Sequence, residues 1–137
     1  MRYGSFSNSL EEWAEGVLTL EWAEKQRVST KAELKICNTA EYVGALSDFT
    51  GEIGRMAVNL ASKRDFDKVR NVHQADVAIS AGLMQVNAGG KYSKKVDAVV
   101  TNLKKVEDIV YEMSMLKRGG KAKPMEVQPK EEKAQEE

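Results

Sequence analysis

Between about Lys91 and Lys117 the apolar side chains Tyr92, Val96, Val99, Leu103, Val106, Val110 and Met113 follow one another in alternating steps of four and three. A seven-residue repeat of this kind places them on one seam of a long helix. It also demands a long helical surface opposite, from the same chain or from another copy. A second stripe of the same kind, Tyr42, Leu46, Phe49, Ile53, Met56 and Leu60, predicts another helix that starts at Asn38 or Thr39 and ends near Lys63. Nothing in between forbids continuous helix, because the only prolines are Pro124 and Pro129. The chain is therefore expected to be all-α.

Three further helices complete the reading. Ser9-Leu10-Glu11-Glu12 fits a capping box, in which the serine oxygen and the later glutamate satisfy each other's backbone donors. The helix it opens runs to about Val28, with Leu10, Trp13, Val17 and Leu20 on one face. Ser29 and Thr30 can cap a short helix through about Ile36. A less regular helix is expected from Asp65 to Val86, before the break at Asn87 to Gly90. The expectation is about five helices, organised as an N-terminal extension (1–8), a helical domain (9–118) and a disordered charged tail (119–137) whose Lys, Glu, Gln and Pro could not join a core.

Charge and cysteine content narrow the class. The 21 basic and 21 acidic residues cancel, so a polyanion would have to be held by a local cluster rather than by a global field. Cys37 is the only cysteine, which excludes an internal disulfide and a thiolate zinc site and favours the reducing cytoplasm. No apolar run approaches the roughly 20 residues of a bilayer span, so no membrane partner is expected. Met1 to Ser9 lacks the apolar core of a signal peptide.

A polar stripe runs beside the apolar one on the helix that begins near Asn38. Asp48, Glu52, Arg55 and Asn59 are spaced four, three and four apart, about a quarter-turn from the core stripe. Carboxylates one turn apart can share a hard cation such as Mg²⁺, which takes oxygen ligands. Arg55 could then hold a phosphate bidentately. The same spacing equally describes a surface ion-pair ladder. Glu12 and Glu15, three apart on the first helix, are neighbours nearly opposite Leu10 and Val17, which by itself means solvent. Trp22, two turns beyond Glu15 on that face, hints that part of it is covered. Lys91, Lys94, Lys95, Lys104 and Lys105 cluster on or beside the last helix. Lys94, Lys95 and Lys105 could contact phosphates, or could form a solvated face balanced by Glu107 and Asp108. His73 has no nucleophile placed with it and reads as structural. Gly51 and Gly54, each costing about 1 kcal/mol inside a helix, suggest close backbone approach there.

The segment Glu41 to Asn59, which carries Asp48, Thr50-Gly51-Glu52, Arg55 and Asn59, resembles the hallmark helix of the translin family. Leu103 to Ser114 is similar to that family's closing helix. The resemblance spans about Leu10 to Arg118 and is closer to the X-type subunit and its archaeal relatives than to translin itself. It implies an antiparallel helical bundle and the handling of single-stranded RNA or DNA. It also implies self-association or pairing with another translin-family subunit. The X-type subunits are Mg²⁺-dependent endoribonucleases whose site uses carboxylates from two helices. Matched motif by motif, those carboxylates fall on Glu12 and Glu15 and on Asp48 and Glu52. The resemblance then makes Glu15 and Glu52 the primary Mg²⁺ ligands, with Glu12 and Asp48 orienting water and Arg55 and the lysines positioning the strand. Family members carry further helices before the glutamate-bearing one, so an exposed face is expected to need cover from another subunit.

Three functions follow as alternatives: a Mg²⁺-dependent endoribonuclease, a non-catalytic single-strand binder, and a helical assembly subunit without a ligand of its own. A steep loss of affinity with salt separates the second from the third. Dependence on a divalent metal separates the first from both.

Overall fold

A computed structural model describes residues 4–119, and within them are four helices and no strand. They are α1 (Gly4–Lys25), α2 (Thr39–Ser62), α3 (Phe66–Val86) and α4 (Ser93–Gly119). The tail expected at 119–137 lies outside the described residues beyond Gly119.

α2 is the axis of the bundle. It packs against α1, α3 and α4, α3 and α4 pack on each other, and α1 packs on α2 alone. Its start follows from local chemistry. The Asn38 side chain accepts the Glu41 N–H at 2.8 Å, while Glu41 Oε1 accepts the Asn38 N–H at 2.9 Å, a reciprocal cap at the place expected. Ser7 donates to the other Glu41 oxygen at 2.8 Å, which is how a carboxylate with 0% exposure is tolerated.

The repeat that begins at Tyr92 finds its long partner inside the chain. Val96, Val99, Val106 and Met113 are buried and Tyr92, Leu103 and Val110 half-buried, on a helix that lies against α2 and α3. Gly51 and Gly54 face this contact. A Cβ there would meet Asn102 Nδ2 at 3.5 Å and Val106 Cγ2 at 3.9 Å, which is ordinary packing distance. Asn102 donates to Thr50 Oγ1 at 3.0 Å, and Thr50 donates to the Ser47 carbonyl at 2.7 Å, so this polar crossing between α2 and α4 is satisfied.

Two expectations about the first part of the chain are corrected. Ser9 does not cap α1, because the helix already begins at Gly4 and the Ser9 hydroxyl donates back to the Ser5 carbonyl at 3.1 Å, one turn earlier. Residues 4–8 are thus helical, whereas Met1 to Tyr3 fall outside the described residues. The buried face of α1 is Leu10, Ala14, Leu18 and Trp22, not Leu10, Trp13, Val17 and Leu20. Trp13 and Leu20 are 48% and 59% exposed, so the helix is turned by about one residue from the face its larger apolar side chains imply. Trp22 decides this rotation. Its ring meets Phe49 of α2 edge-on at 6.2 Å, and Phe49 has no exposed surface.

The short helix expected from Ser29 to Ile36 is a series of turns. Thr30 and Glu33 do cap each other, with Thr30 N–H to Glu33 Oε1 at 2.8 Å and Glu33 N–H to Thr30 Oγ1 at 3.2 Å. The turn does not propagate because tertiary anchors outweigh a costly nucleus. Ser29, Leu34 and Cys37 are buried, Tyr42 donates to the Ser29 carbonyl at 2.6 Å, and Arg27 ties Glu21 to Glu33. α1 ends just before this segment with Gln26 in the left-handed region (φ 55°), its N–H donated to the Trp22 carbonyl.

Candidate carboxylate site between α1 and α2

The rotation of α1 decides which acids face α2. Glu11 and Glu15 flank the buried stripe and are half-buried, whereas Glu12 is exposed. Glu15 adjoins Asp48 and Glu52. Burial raises its carboxyl above the ordinary range, the charges of Asp48 and Glu52 raise it further, Arg55 works against them, and Glu12 adds a smaller push in the same direction. Glu11 is raised too, first by burial. Lys95 of α4 opposes the rise, and Asp48 and Glu41 add to it. Glu15 thus feels Asp48 and Glu52 across the α1–α2 contact and Glu11 feels Asp48, each pair spaced four apart along its helix, with Asp48 itself exposed.

Gly44 makes this possible. A Cβ built there would stand 2.6 Å from both the Cδ and an oxygen of Glu11. The missing side chain leaves the space that the Glu11 carboxylate occupies, one turn before Asp48.

The remaining sequence candidates spread outward from this cluster. Arg55 Nη2 pairs with Glu52 Oε1 at 2.5 Å, one turn apart on α2, with Arg55 mostly exposed. Glu52 is thus held by an arginine that could itself take a phosphate. Lys95 is half-buried beside Glu11, while Lys94 and Lys105 are exposed on α4. Among the described residues, no three Asp, Glu, His or Cys side chains already converge as a metal-holding group. In chemistry the donors are nonetheless all hard carboxylate oxygens, the type Mg²⁺ takes. Their mutual repulsion at Glu15 is what a divalent cation would relieve.

Glu12, which the motif match assigns to the site, is exposed, as is Asp48, and acts on Glu15 more weakly than Asp48 and Glu52 do. Glu11, which the match leaves out, is half-buried and feels Asp48. A signal for this was present in the sequence: Glu11 and Glu15 share the four-residue spacing of Asp48 and Glu52, and Glu12 and Glu15 do not. Nothing in the sequence singles out Gly44. His73 lies 3.6 Å from Glu107 across α3 and α4, away from the carboxylates, in agreement with a structural role. No helix among the described residues is long and apolar enough to cross a membrane.

A family model described as Translin family matches residues 2–117 of the chain. Compared with curated proteins one by one, the chain has no match.

Proposed function

Starting from the fact that the chain belongs to the translin family, a nucleic-acid-binding family, we propose that it binds single-stranded nucleic acid across α1, α2 and α4 and cleaves single-stranded RNA as a Mg²⁺-dependent endoribonuclease of the X type. What supports this reading is the charge coupling across the α1–α2 contact, where burial and the charges of Asp48 and Glu52 raise the Glu15 carboxyl and Asp48 also acts on Glu11.

In this reading Glu15 and Glu52 hold the cation, and Asp48 and Glu11 are the carboxylates left to orient water. Bound there, Mg²⁺ would acidify a water and offset charge on the scissile phosphate. Burial raises the Glu11 carboxyl, so it takes up a proton more readily than an ordinary glutamate does. Arg55, freed from Glu52, and Lys94, Lys95 and Lys105 would contact strand phosphates. Glu12 sits beside Glu15 on the outward side and is expected to be dispensable.

End-labelled single-stranded RNA incubated with Mg²⁺ or with chelator tests this directly. We expect cleavage that needs the metal, survives in Glu12→Gln and disappears in Glu52→Gln, which keeps the side chain's shape and removes its charge. Undiminished cleavage by Glu52→Gln would sink the nuclease assignment. RNA that stays intact under every condition but is retarded on a gel would leave a non-catalytic binder.

A second reading, a helical subunit of a larger assembly, rests on a different surface. Phe6, Trp13 and Leu20 stand seven apart on the outer face of α1, each about half exposed, on the one helix that touches only a single neighbour. Such a seam suits another copy or another translin-family subunit. The double variant Trp13→Glu/Leu20→Glu is expected to have a lower mass by light scattering than the parent chain. Equal masses would remove this face from any assembly. The buried lone thiol of Cys37 accords with a cytoplasmic location.

A further inference from the structure

On the α4 side of Glu11 lies a cleft of about 490 Å³, within the size range of small-ligand sites. Its walls are Glu11 of α1, Ala40 in the first turn of α2, and the stretch from Gly90 to Lys95 that leads into α4. Three of these residues, Lys91, Lys94 and Lys95, are cationic, against the single carboxylate of Glu11.

The α3–α4 turn that forms one wall is ordered by its own hydrogen bonds. The Tyr92 N–H donates to Asn87 Oδ1 at 2.5 Å, Asn87 Nδ2 donates to Ser93 Oγ at 3.3 Å, and Ser93 Oγ donates to the Gly90 carbonyl at 3.0 Å. Gly90 takes φ +82°, a value that side-chain-bearing residues rarely adopt. Tyr92 packs its ring partly into the core, and Lys91 Nζ stands 5.7 Å over the ring centroid. At least one ammonium group is therefore positioned before any ligand arrives. Glu11 is common to the cleft and to the carboxylate cluster, so a group seated in the cleft lies immediately beside that cluster.

We propose that this cleft is a subsite for one nucleotide of the bound strand, with Lys91, Lys94 and Lys95 on its phosphate and Glu11 marking the boundary with the carboxylate cluster. The assignment rests on the nucleic-acid reading above and adds to it a defined pocket, two residues outside the expected phosphate contacts (Lys91 and Tyr92), and a direction. The strand enters over the α3–α4 turn and passes toward Glu15 and Glu52. A cleft lined by three lysines, with one glutamate shared with the carboxylate cluster, favours a phosphodiester whose neighbouring phosphate reaches the carboxylates only with a cation between them.

The test uses the full chain, a fluorescein-labelled oligouridylate and chelator, so that binding is read without cleavage. Lys91→Gln/Lys94→Gln/Lys95→Gln is expected to bind roughly tenfold more weakly near physiological salt. The slope of log affinity against log salt should also be shallower by about 0.7 for each phosphate that the variant no longer neutralises. A control with the same charge change, Lys25→Gln/Lys63→Gln/Lys68→Gln, should keep the parent slope. Ala40→Trp fills the cleft without altering charge, and it should weaken binding while leaving the slope close to that of the parent. If the parent chain does not bind the strand, the nucleic-acid reading falls and the cleft assignment with it. If the parent binds, but the lysine variant and Ala40→Trp bind equally tightly with the same slope, only the cleft assignment is overturned. An equal loss in the control triple would reduce the lysines to general electrostatics and overturn it as well.

Discussion

Replacing Asp76 by Asn is expected to raise the melting temperature near pH 8 by about 10 °C and to change it little near pH 4. Asp76 lies on the core stripe of α3 with Val69, Val72, Ile79 and Leu83, its residue exposure is 0%, and neither carboxylate oxygen has a hydrogen-bond partner. Burial alone pushes its carboxyl from 3.8 up to about 7. The folded chain thus holds this proton more tightly than the unfolded chain does. The associated stability is fully present below about pH 4 and is lost as pH rises through about 7. A shift of about three units corresponds to on the order of 4 kcal/mol. An asparagine in the same place carries no charge to desolvate, although its amide remains unpartnered and costs about 1–3 kcal/mol. The clean readout is therefore the pH dependence and not the stability at a single pH. Denaturant midpoints measured from pH 4 to 8 should fall steeply for the parent chain and much less for the variant. Parallel curves would mean that Asp76 is solvated or partnered in solution.

The second large effect belongs to Phe49→Ala, expected to cost about 3–5 kcal/mol, a large share of the stability of a domain this size. Phe49 is fully buried in α2 and meets Trp22 edge-on, and among the helices described α1 packs on α2 alone. Removing the ring opens a cavity at the one contact surface that sets the rotation of α1. Two losses should therefore appear together: a lower denaturant midpoint, and weaker alignment of Glu11 and Glu15 with Asp48 and Glu52. In a Trp13→Phe background Trp22 is the only tryptophan, and its emission should shift to the red in the variant under native conditions. A loss of unfolding free energy below about 1 kcal/mol, or an unshifted spectrum, would show that α1 is held by something other than this pair.

Much of the fold was legible because it rests on short-range chemistry. The four-three spacing from Tyr92 to Met113, the stripe from Tyr42 to Leu60, and the Asn38–Glu41 cap are written within a few residues of where they act, and each forms as expected. The short helix after Ser29 was also written locally, in the Thr30–Glu33 cap. It was overridden by anchors that lie far along the chain, above all the bond from Tyr42 to the Ser29 carbonyl. Asp76 offered no warning, because an aspartate on an irregular amphipathic stretch reads as polar until the packing of its helix is known.

The sequence by itself determined that this chain is helical, where its long helices run, and that α2 carries acids in the spacing of a metal or phosphate site. Its motifs determined the family. Only the tertiary structure decided which acids of α1 meet them. α1 bears two candidate faces that differ by one residue of rotation, and its own larger apolar side chains favour the one that leaves Trp22 out. The edge-on contact between Trp22 and Phe49, and the space left by Gly44, select the other face. Packing between helices is set by steric fit at a few points, which periodicity does not encode. That fit turns Glu12 to solvent and brings Glu11 to Asp48.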